Sequence, residues 1–328
     1  MVTGAGSLIG RVAIVVLGLA APAAAAEFPL APDQAAVGAV ETDAAKASDN
    51  LLDLARRYDL GYVDFIAANP GVNPWSPGAG RSITVPRFFI LPDAPRAGIV
   101  INLAARRLYY FPPGGTTVET YPVGVGVEDG ATPLGVTTVV RKEPAPVWIP
   151  PPSIRAERPD LPAFIPPGPD DPLGDYALRT GWNNILIHGT NKPDSVGRNV
   201  SHGCFHLYPE DIARLFAEVR VGTPVRVVSQ AVATAWIGGR LYVVVHPSKA
   251  QADQIDYGEP MTPAIPQDLV SRVEAAAGDR AGQVDWDAVA RAGRGATGLP
   301  TPVTGEPVAT LDPEAARQAR AEAVQDGP

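Results

Sequence analysis

The spacing of apolar positions changes character along this chain. Between residues 51 and 58, Leu51, Leu54, Ala55 and Tyr58 recur at helical spacing and share one face. A second short helical run, 63–68, stops at Asn69-Pro70-Gly71, and 82–86 reads as a strand. From residue 97 the period becomes that of strands. Residues 98–103 and 107–111, separated by a short turn, predict a hairpin, 117–127 alternates into Gly124 and Gly126, and 135–140 adds a further strand.

Prolines between 143 and 172 are dense enough to predict a long loop, either a lid or a surface excursion. Residues 184–188 read as a buried strand that delivers His188 at its end. Pro209 opens a helix at its first turn, with Ile212, Leu215, Phe216 and Val219 as its buried face, and 223–228 closes the sheet. Residues 235–246 predict a hairpin turning at Gly238-Gly239, followed by short helices over 267–277 and 285–292. Beyond residue 293 the chain is Gly, Pro, Ala and charge, which predicts disorder apart from a helix near 313–324.

The first 26 residues have another logic. A single charge, Arg11, precedes the apolar run 12–21 and the small residues Ala23-Ala24-Ala25-Ala26, the pattern of a cleaved secretory leader. The run is shorter than the roughly 20 residues a spanning helix needs. An exported mature chain with no membrane span is the expectation. Removing the leader's one Arg takes the formal charge from −8 to −9. With no basic cluster, nucleic acid and anionic membrane are poor partners. The 328 residues allow more than one domain, and 36 prolines with 33 glycines favour short strands and turns over a helical bundle.

Candidate chemistry concentrates in one stretch, Ile187-His188-Gly189-Thr190 to Ser201-His202-Gly203-Cys204-Phe205-His206, which holds the chain's 1 cysteine and three of its 4 histidines. A lone Cys in an exported chain has no disulfide partner. A thiol attacks a carbonyl as thiolate and needs a nearby base. His188 lies on a different element, so the fold must bring it to Cys204. The Gly189 carbonyl is placed to fix the imidazole tautomer, and Ser201, His202 and Gly203 offer backbone N–H groups for an oxyanion hole. The alternation His202, Cys204, His206, together with His188, leaves a zinc site open, although the glycine and the following helix favour a turn that loses the shared face. His246, at a strand end, reads as structural, and Phe205 and Tyr208 as core.

The segment IHGTNKPDSVGRNVSHGCFHLYPEDIARLF resembles the active-site segment of the L,D-transpeptidases of YkuD type, and GIVINLAARRLYYFPPGG with YPVGVG and TPLG resembles the opening strands of that family. The resemblance spans about 95–228. DNLLDLARRYDL, AANPGVNP and PGAGRSITVP resemble a LysM peptidoglycan-binding module, and 235–246 resembles a small extension of a Gram-negative subset of the family. These likenesses imply a mainly β chain with some α: a YkuD-type sandwich or barrel-like catalytic domain with one prominent helix, behind a small α+β LysM-like module. The implied organisation is a leader (1–26), a linker (27–47), the LysM-like module (48–90), the catalytic domain (95–229), a small C-terminal subdomain (230–295) and a disordered tail (296–328).

What the family implies is a cysteine enzyme acting on peptidoglycan stem peptides in the periplasm, without metal or organic cofactor. Carried over, Cys204 is the nucleophile, His188 the base and Gly189 the orienting carbonyl, with Ser201, His202, Gly203 and His206 around the pocket. Family members usually carry Arg or Asn where this chain has His206, which puts substrate choice and pH optimum in question. The implied reaction releases D-Ala from a tetrapeptide donor and passes the thioester to an amine, in a 3–3 cross-link or on an envelope protein. Water as acceptor would make it an L,D-carboxypeptidase, and a silent wall-binding protein is the reading from a different class.

Overall fold

The computed structural model describes residues 26–126 and 132–305; the predicted leader and the predicted helix near 313–324 lie outside the described residues. In chain order the elements begin with strands β1 (Ala26–Pro29) and β2 (Ala36–Ala44), helices α1 (Leu51–Arg57) and α2 (Tyr62–Ala67), and β3 (Ser82–Ile90). Strands β4 (Gly98–Asn102), β5 (Arg107–Phe111), β6 (Thr117–Pro122), β7 (Val125–Gly126) and β8 (Gly135–Pro144) follow, then α3 (Pro152–Glu157). The site region contains β9 (Tyr176–Thr180), β10 (Leu186–His188), β11 (Asn199–Ser201), β12 (Phe205–His206) and α4 (Pro209–Glu218). The chain continues through β13 (Pro224–Val228), β14 (Val232–Ile237), β15 (Arg240–Val245), α5 (Lys249–Asp256), α6 (Leu269–Ala277), α7 (Trp286–Gly295) and β16 (Thr301–Pro302).

One mixed sheet organises the centre of the molecule, in the order β1-β6-β5-β4-β13-β8-β9-β10-β12. Ile99, Ile101, Leu108, Leu178, Ile187, Phe205, Val225 and Val227 project from it onto Ile212 and Leu215 of α4 and Val219 just beyond its end. Val100, Tyr109, Phe111 and Val118 project the other way, onto Leu30, Val37 and Leu91. Strand β4 is therefore buried on both faces, as its unbroken apolar run requires where it pairs in parallel with β13. Pro209 occupies the first turn of α4, where its missing N–H has no intrahelical partner to lose.

The linker expected over 27–47 is structured instead. Strand β1 pairs with β6 at the sheet edge, and β2 pairs along its full length with β3. Most of β2 is exposed, so it carries no buried alternation to announce a strand; it is held by backbone pairing. The first part of the chain thus forms a β-α-α-β unit with its own core of Leu51, Leu54, Leu60, Phe65, Ile83 and Val85. At the other end, β16 pairs with β15, and Ala296 and Val303 are buried in the C-terminal core, so ordered structure continues past 295 into the expected tail. The excursion expected as a long loop over 143–172 begins as strand, includes α3, and is closed on itself by a Trp148–Ile165 bridge.

The β-α-α-β unit is docked by specific contacts. Arg56 makes two 2.8 Å bonds to Glu210, Tyr208 Oη donates to the Leu60 carbonyl, and the buried Arg107 guanidinium donates to the Asp59 carbonyl and Thr120 while lying 4.1 Å from the Phe89 ring centre. The buried Asp59 and Asp211 carboxyls hydrogen-bond to each other across the junction, and burial together with the Asp59 charge holds the Asp211 carboxyl well above the usual range. The first N–H groups of α2 donate to Val196 and Gly197 of the loop before β11. A Cβ added at Gly197 would lie 2.2 Å from the Gly61 Cα, and the Gly197 φ of +80° belongs to the left-handed region. Gly197→Ala is therefore expected to cost about 2–3 kcal/mol, through a strained backbone and a clash with no flexible side chain to yield. A thermal midpoint within about 1 °C of wild type would show that this backbone contact carries no stability.

Candidate active site

Parallel pairing of β10 with β12 sets Ile187 beside Phe205 and His188 beside His206. Ile187 and Phe205 enter the core, so Leu186, His188, Cys204 and His206 share the opposite face. The face is completed by Leu173, Ala177 and Leu186, against which Trp148 and Cys204 pack.

His188 is 8 % exposed, and its Nδ1 lies 2.6 Å from the Gly189 carbonyl. A carbonyl only accepts, so Nδ1 carries the proton and Nε2 is left with a lone pair. Burial, then the neighbouring His206, push the imidazole down to about 3, against the pull of the Gly189 and Leu173 carbonyls. The ring is a neutral acceptor at neutral pH.

Cys204 is a half-buried free thiol. Its Sγ accepts the Leu186 N–H at 3.4 Å and donates to the Asn184 carbonyl at 3.3 Å. Burial pushes the thiol up, while the Leu186 N–H and the Arg179 charge pull it down. Among the described residues Cys204 makes no hydrogen bond to His188, although the two lie on neighbouring strands of one face. In free enzymes such bonds are often unformed. A change of Cys204 χ1 between staggered wells swings Sγ away from the Asn184 carbonyl.

The turn before the thiol is bonded to itself. Ser201 Oγ donates to the Cys204 carbonyl at 2.6 Å and accepts the Gly203 N–H at 3.2 Å, while Thr132 Oγ1 donates to the Gly203 carbonyl at 2.9 Å. Gly203 has φ +113°, a conformation that L side chains rarely adopt, and this reversal breaks strand alternation between His202 and Cys204. The Gly203 N–H expected in an oxyanion hole is thus engaged by Ser201 in the free protein.

His202 and His206 do not join the pocket as expected. Exposed His202 reaches out to Glu157 on α3, with Nε2 3.2 Å from Oε2. His206 is buried, with Nε2 3.1 Å from the Ser195 carbonyl and 2.9 Å from the Ser195 hydroxyl, which itself donates to the Lys192 carbonyl. Its ring fills the space above Gly124, where an added Cβ would meet it at 1.9 Å, and stacks 6.1 Å from His188. His206 is a neutral scaffold between two loops rather than a stand-in for a guanidinium. These divergent directions also dismantle the zinc alternative, and among the described residues no three His, Cys, Asp or Glu side chains converge as a metal site.

Sequence reasoning missed several residues of the site: Trp148 and Glu157 from the proline-rich excursion, Asn184 and Leu186 around the thiol, Ser195 and Gly124 around His206, and Arg179 on β9. The run Tyr176-Ala177-Leu178-Arg179-Thr180 carries no apolar–polar alternation, so no local signal marks Arg179 for the thiol face.

Residues 96–227 match the family model for the L,D-transpeptidase catalytic domain, YkuD. The Probable L,D-transpeptidase YcfS of Escherichia coli (strain K12) is 41% identical over 243 residues, covering 70% of this chain and 75% of that protein. The Probable L,D-transpeptidase YbiS of the same strain is 40% identical over 243 residues, covering 71% and 79%. Among solved structures, the L,D-transpeptidase from Mycobacterium smegmatis is 24% identical, covers 46% of this chain and 64% of that chain, and overlays with a TM-score of 0.31. With this identity to relatives matched over most of their length, and a site that sets one free thiol beside a carbonyl-oriented histidine, the chain belongs to the L,D-transpeptidase family.

Proposed function

We propose that this chain is an exported peptidoglycan L,D-transpeptidase in which Cys204 is the nucleophile and His188 the base. The observation that carries the assignment is the tautomer of His188: Nδ1–H is given to Gly189, so Nε2 accepts a proton on the face that holds the thiol. The donor is a stem tetrapeptide. As Sγ bonds to the carbonyl carbon of its third residue, meso-diaminopimelate, the thiol proton passes to His188. The C–N bond then breaks, the proton goes to the departing amine, and D-Ala leaves a thioester behind. An amine attacks that thioester and loses its proton to His188, which restores the thiol.

Trp148 and Cys204 pack against the same apolar group, and Glu157 holds α3 to His202, so the proline-rich excursion lies over the thiol side of the site. A roof that excludes water favours an amine over hydrolysis. For the tetrahedral oxyanion, the Ser201–Gly203 bond must open so that the Gly203 N–H can turn to substrate. The β-α-α-β unit supplies a LysM-like wall-binding module, and the leader delivers the chain to the periplasm. Among the described residues no helix is long and apolar enough to cross a membrane.

Intact mass spectrometry after exposure to a carbapenem and then to a disaccharide-tetrapeptide tests the reaction. Wild type is expected to gain a covalent adduct, release D-Ala and form a cross-linked dimer. Cys204→Ala is expected to lose the adduct and at least about 10³-fold in D-Ala release, and His188→Gln about 10²–10⁴-fold. D-Ala with a tripeptide and no dimer would instead mark an L,D-carboxypeptidase.

The free enzyme should also reveal its resting proton arrangement. With the imidazole pushed down and the thiol pushed up, both groups are neutral at pH 7. The rate of Cys204 alkylation by iodoacetamide is expected to keep climbing with pH beyond about 8.5, the ordinary thiol value. A plateau already reached between pH 5 and 7 would reveal a preformed thiolate–imidazolium pair and overturn this arrangement.

A further inference from the structure

His206 cannot offer a positive charge to substrate: it is buried, held by Ser195 and pushed down by burial. A donor peptide nevertheless brings a carboxylate to this site. The residue that leaves carries its terminal carboxylate two bonds from the scissile nitrogen, so the anion must lie close to the thiol when Sγ attacks. Taking it out of bulk water without a partner would be costly.

Strand β9 supplies a cation on the same face. Arg179 is the register partner of Leu186, whose N–H holds Sγ. Its neighbour Leu178 enters the core, whereas Ala177 lies in the group that packs with Cys204, so strand alternation turns Arg179 to the thiol side. At the usual strand spacing of about 4.8 Å, β9 lies roughly 10 Å from β12, a gap that one arginine side chain and one substrate carboxylate together fill.

The guanidinium is anchored rather than consumed. Its Nε donates to Glu143 Oε2 at 2.8 Å, and the same carboxylate also pairs with Arg141, so one acid faces two cations. Among the described residues the terminal nitrogens of Arg179 have no hydrogen-bond partner, and the side chain is 38% exposed. A fork held at Nε with its outer N–H groups free suits a carboxylate.

We propose that Arg179 is a specificity-determining residue that binds the terminal carboxylate of the donor's departing residue, as its geometry beside Leu186 and Cys204 indicates. The proposal rests on the acyl-transfer reading above. It makes the enzyme selective for donors whose last residue has a free carboxylate, and separates recognition of the leaving residue (Arg179) from proton transfer (His188). The pull of Arg179 on the thiol is consistent with its nearness.

The test compares the tetrapeptide donor with the same donor ending in a carboxamide, using wild type, Arg179→Gln and Arg179→Lys. For wild type, amidation is expected to lower kcat/KM about 10- to 100-fold, the range of a charge-assisted hydrogen bond. Arg179→Gln should lose a similar factor on the free carboxylate, mostly in KM, and respond to amidation less than twofold. Arg179→Lys should recover part of the preference. Because the Arg179 charge pulls the thiol down, iodoacetamide alkylation of Cys204 should slow in Arg179→Gln and stay within about twofold of wild type in Arg179→Lys. Equal losses on both donors, with the wild-type response to amidation kept in Arg179→Gln, would overturn the proposal in favour of packing or an effect on the thiol. A wild type inactive on both donors would take down the acyl-transfer reading itself, and this proposal with it.

Discussion

The structure depends above all on two residues of parallel pairing, Ile187 with Phe205 and His188 with His206. Sixteen positions separate His188 from Cys204, and only this register sets both on the face opposite the core. A slip of one residue would send Cys204 into the core and Phe205 to the surface. The register is fixed from both sides: Ile187 and Phe205 are fully buried against α4, while His206 wedges between Gly124 and Ser195 on the other face. The apolar core and the polar scaffold therefore specify the same alignment, the kind of agreement between levels that yields one native state.

Burial sets the chemistry that follows. His188, His206 and Cys204 would each prefer a charged partner or water, yet they sit together with little of either. Desolvation disfavours every charged form, so the resting site is a set of neutral dipoles whose hydrogen bonds dictate the tautomers. The Gly189 carbonyl and the Ser195 carbonyl each take one imidazole proton, which makes the direction of proton acceptance a property of the backbone. On the proposed reaction, charge develops between groups that start neutral, once the thiol has left the Asn184 carbonyl and the Gly203 N–H has left Ser201.

Legibility in the sequence followed how local the determinants are. The strand-end His188, the Gly189 carbonyl and the turn at Gly203 are written in adjacent residues, and Pro209 marks the start of α4 without help from elsewhere. The hairpin of β4 and β5 and the buried face of α4 were readable from period alone. What escaped depends on distant partners. Strand β2 is mostly exposed, and only its pairing with β3 makes it a strand. Strand β1 exists because β6 has an edge to offer. The outward turn of His202 depends on Glu157 forty-five residues earlier, and the role of His206 on Ser195 and Gly124, partners on other loops. The spacing of His202, Cys204 and His206 allowed one face for all three, and the reversal at Gly203 turned His202 away from it.

The contact between Gly61 and Gly197 reaches further than packing. The loop that presses on α2 at Gly197 carries Ser195, which grips His206 beside His188. No side chain stands between the two glycines to absorb a shift by changing rotamer. A tilt of the β-α-α-β unit would therefore be passed through main chain into the loop that holds His206. Thermodynamic reciprocity would then apply: a ligand of that unit that changed the tilt would alter binding at the thiol face, and a ligand at the thiol face would alter the first by the same factor. The two halves would behave as one instrument, with occupancy at one end audible at the other.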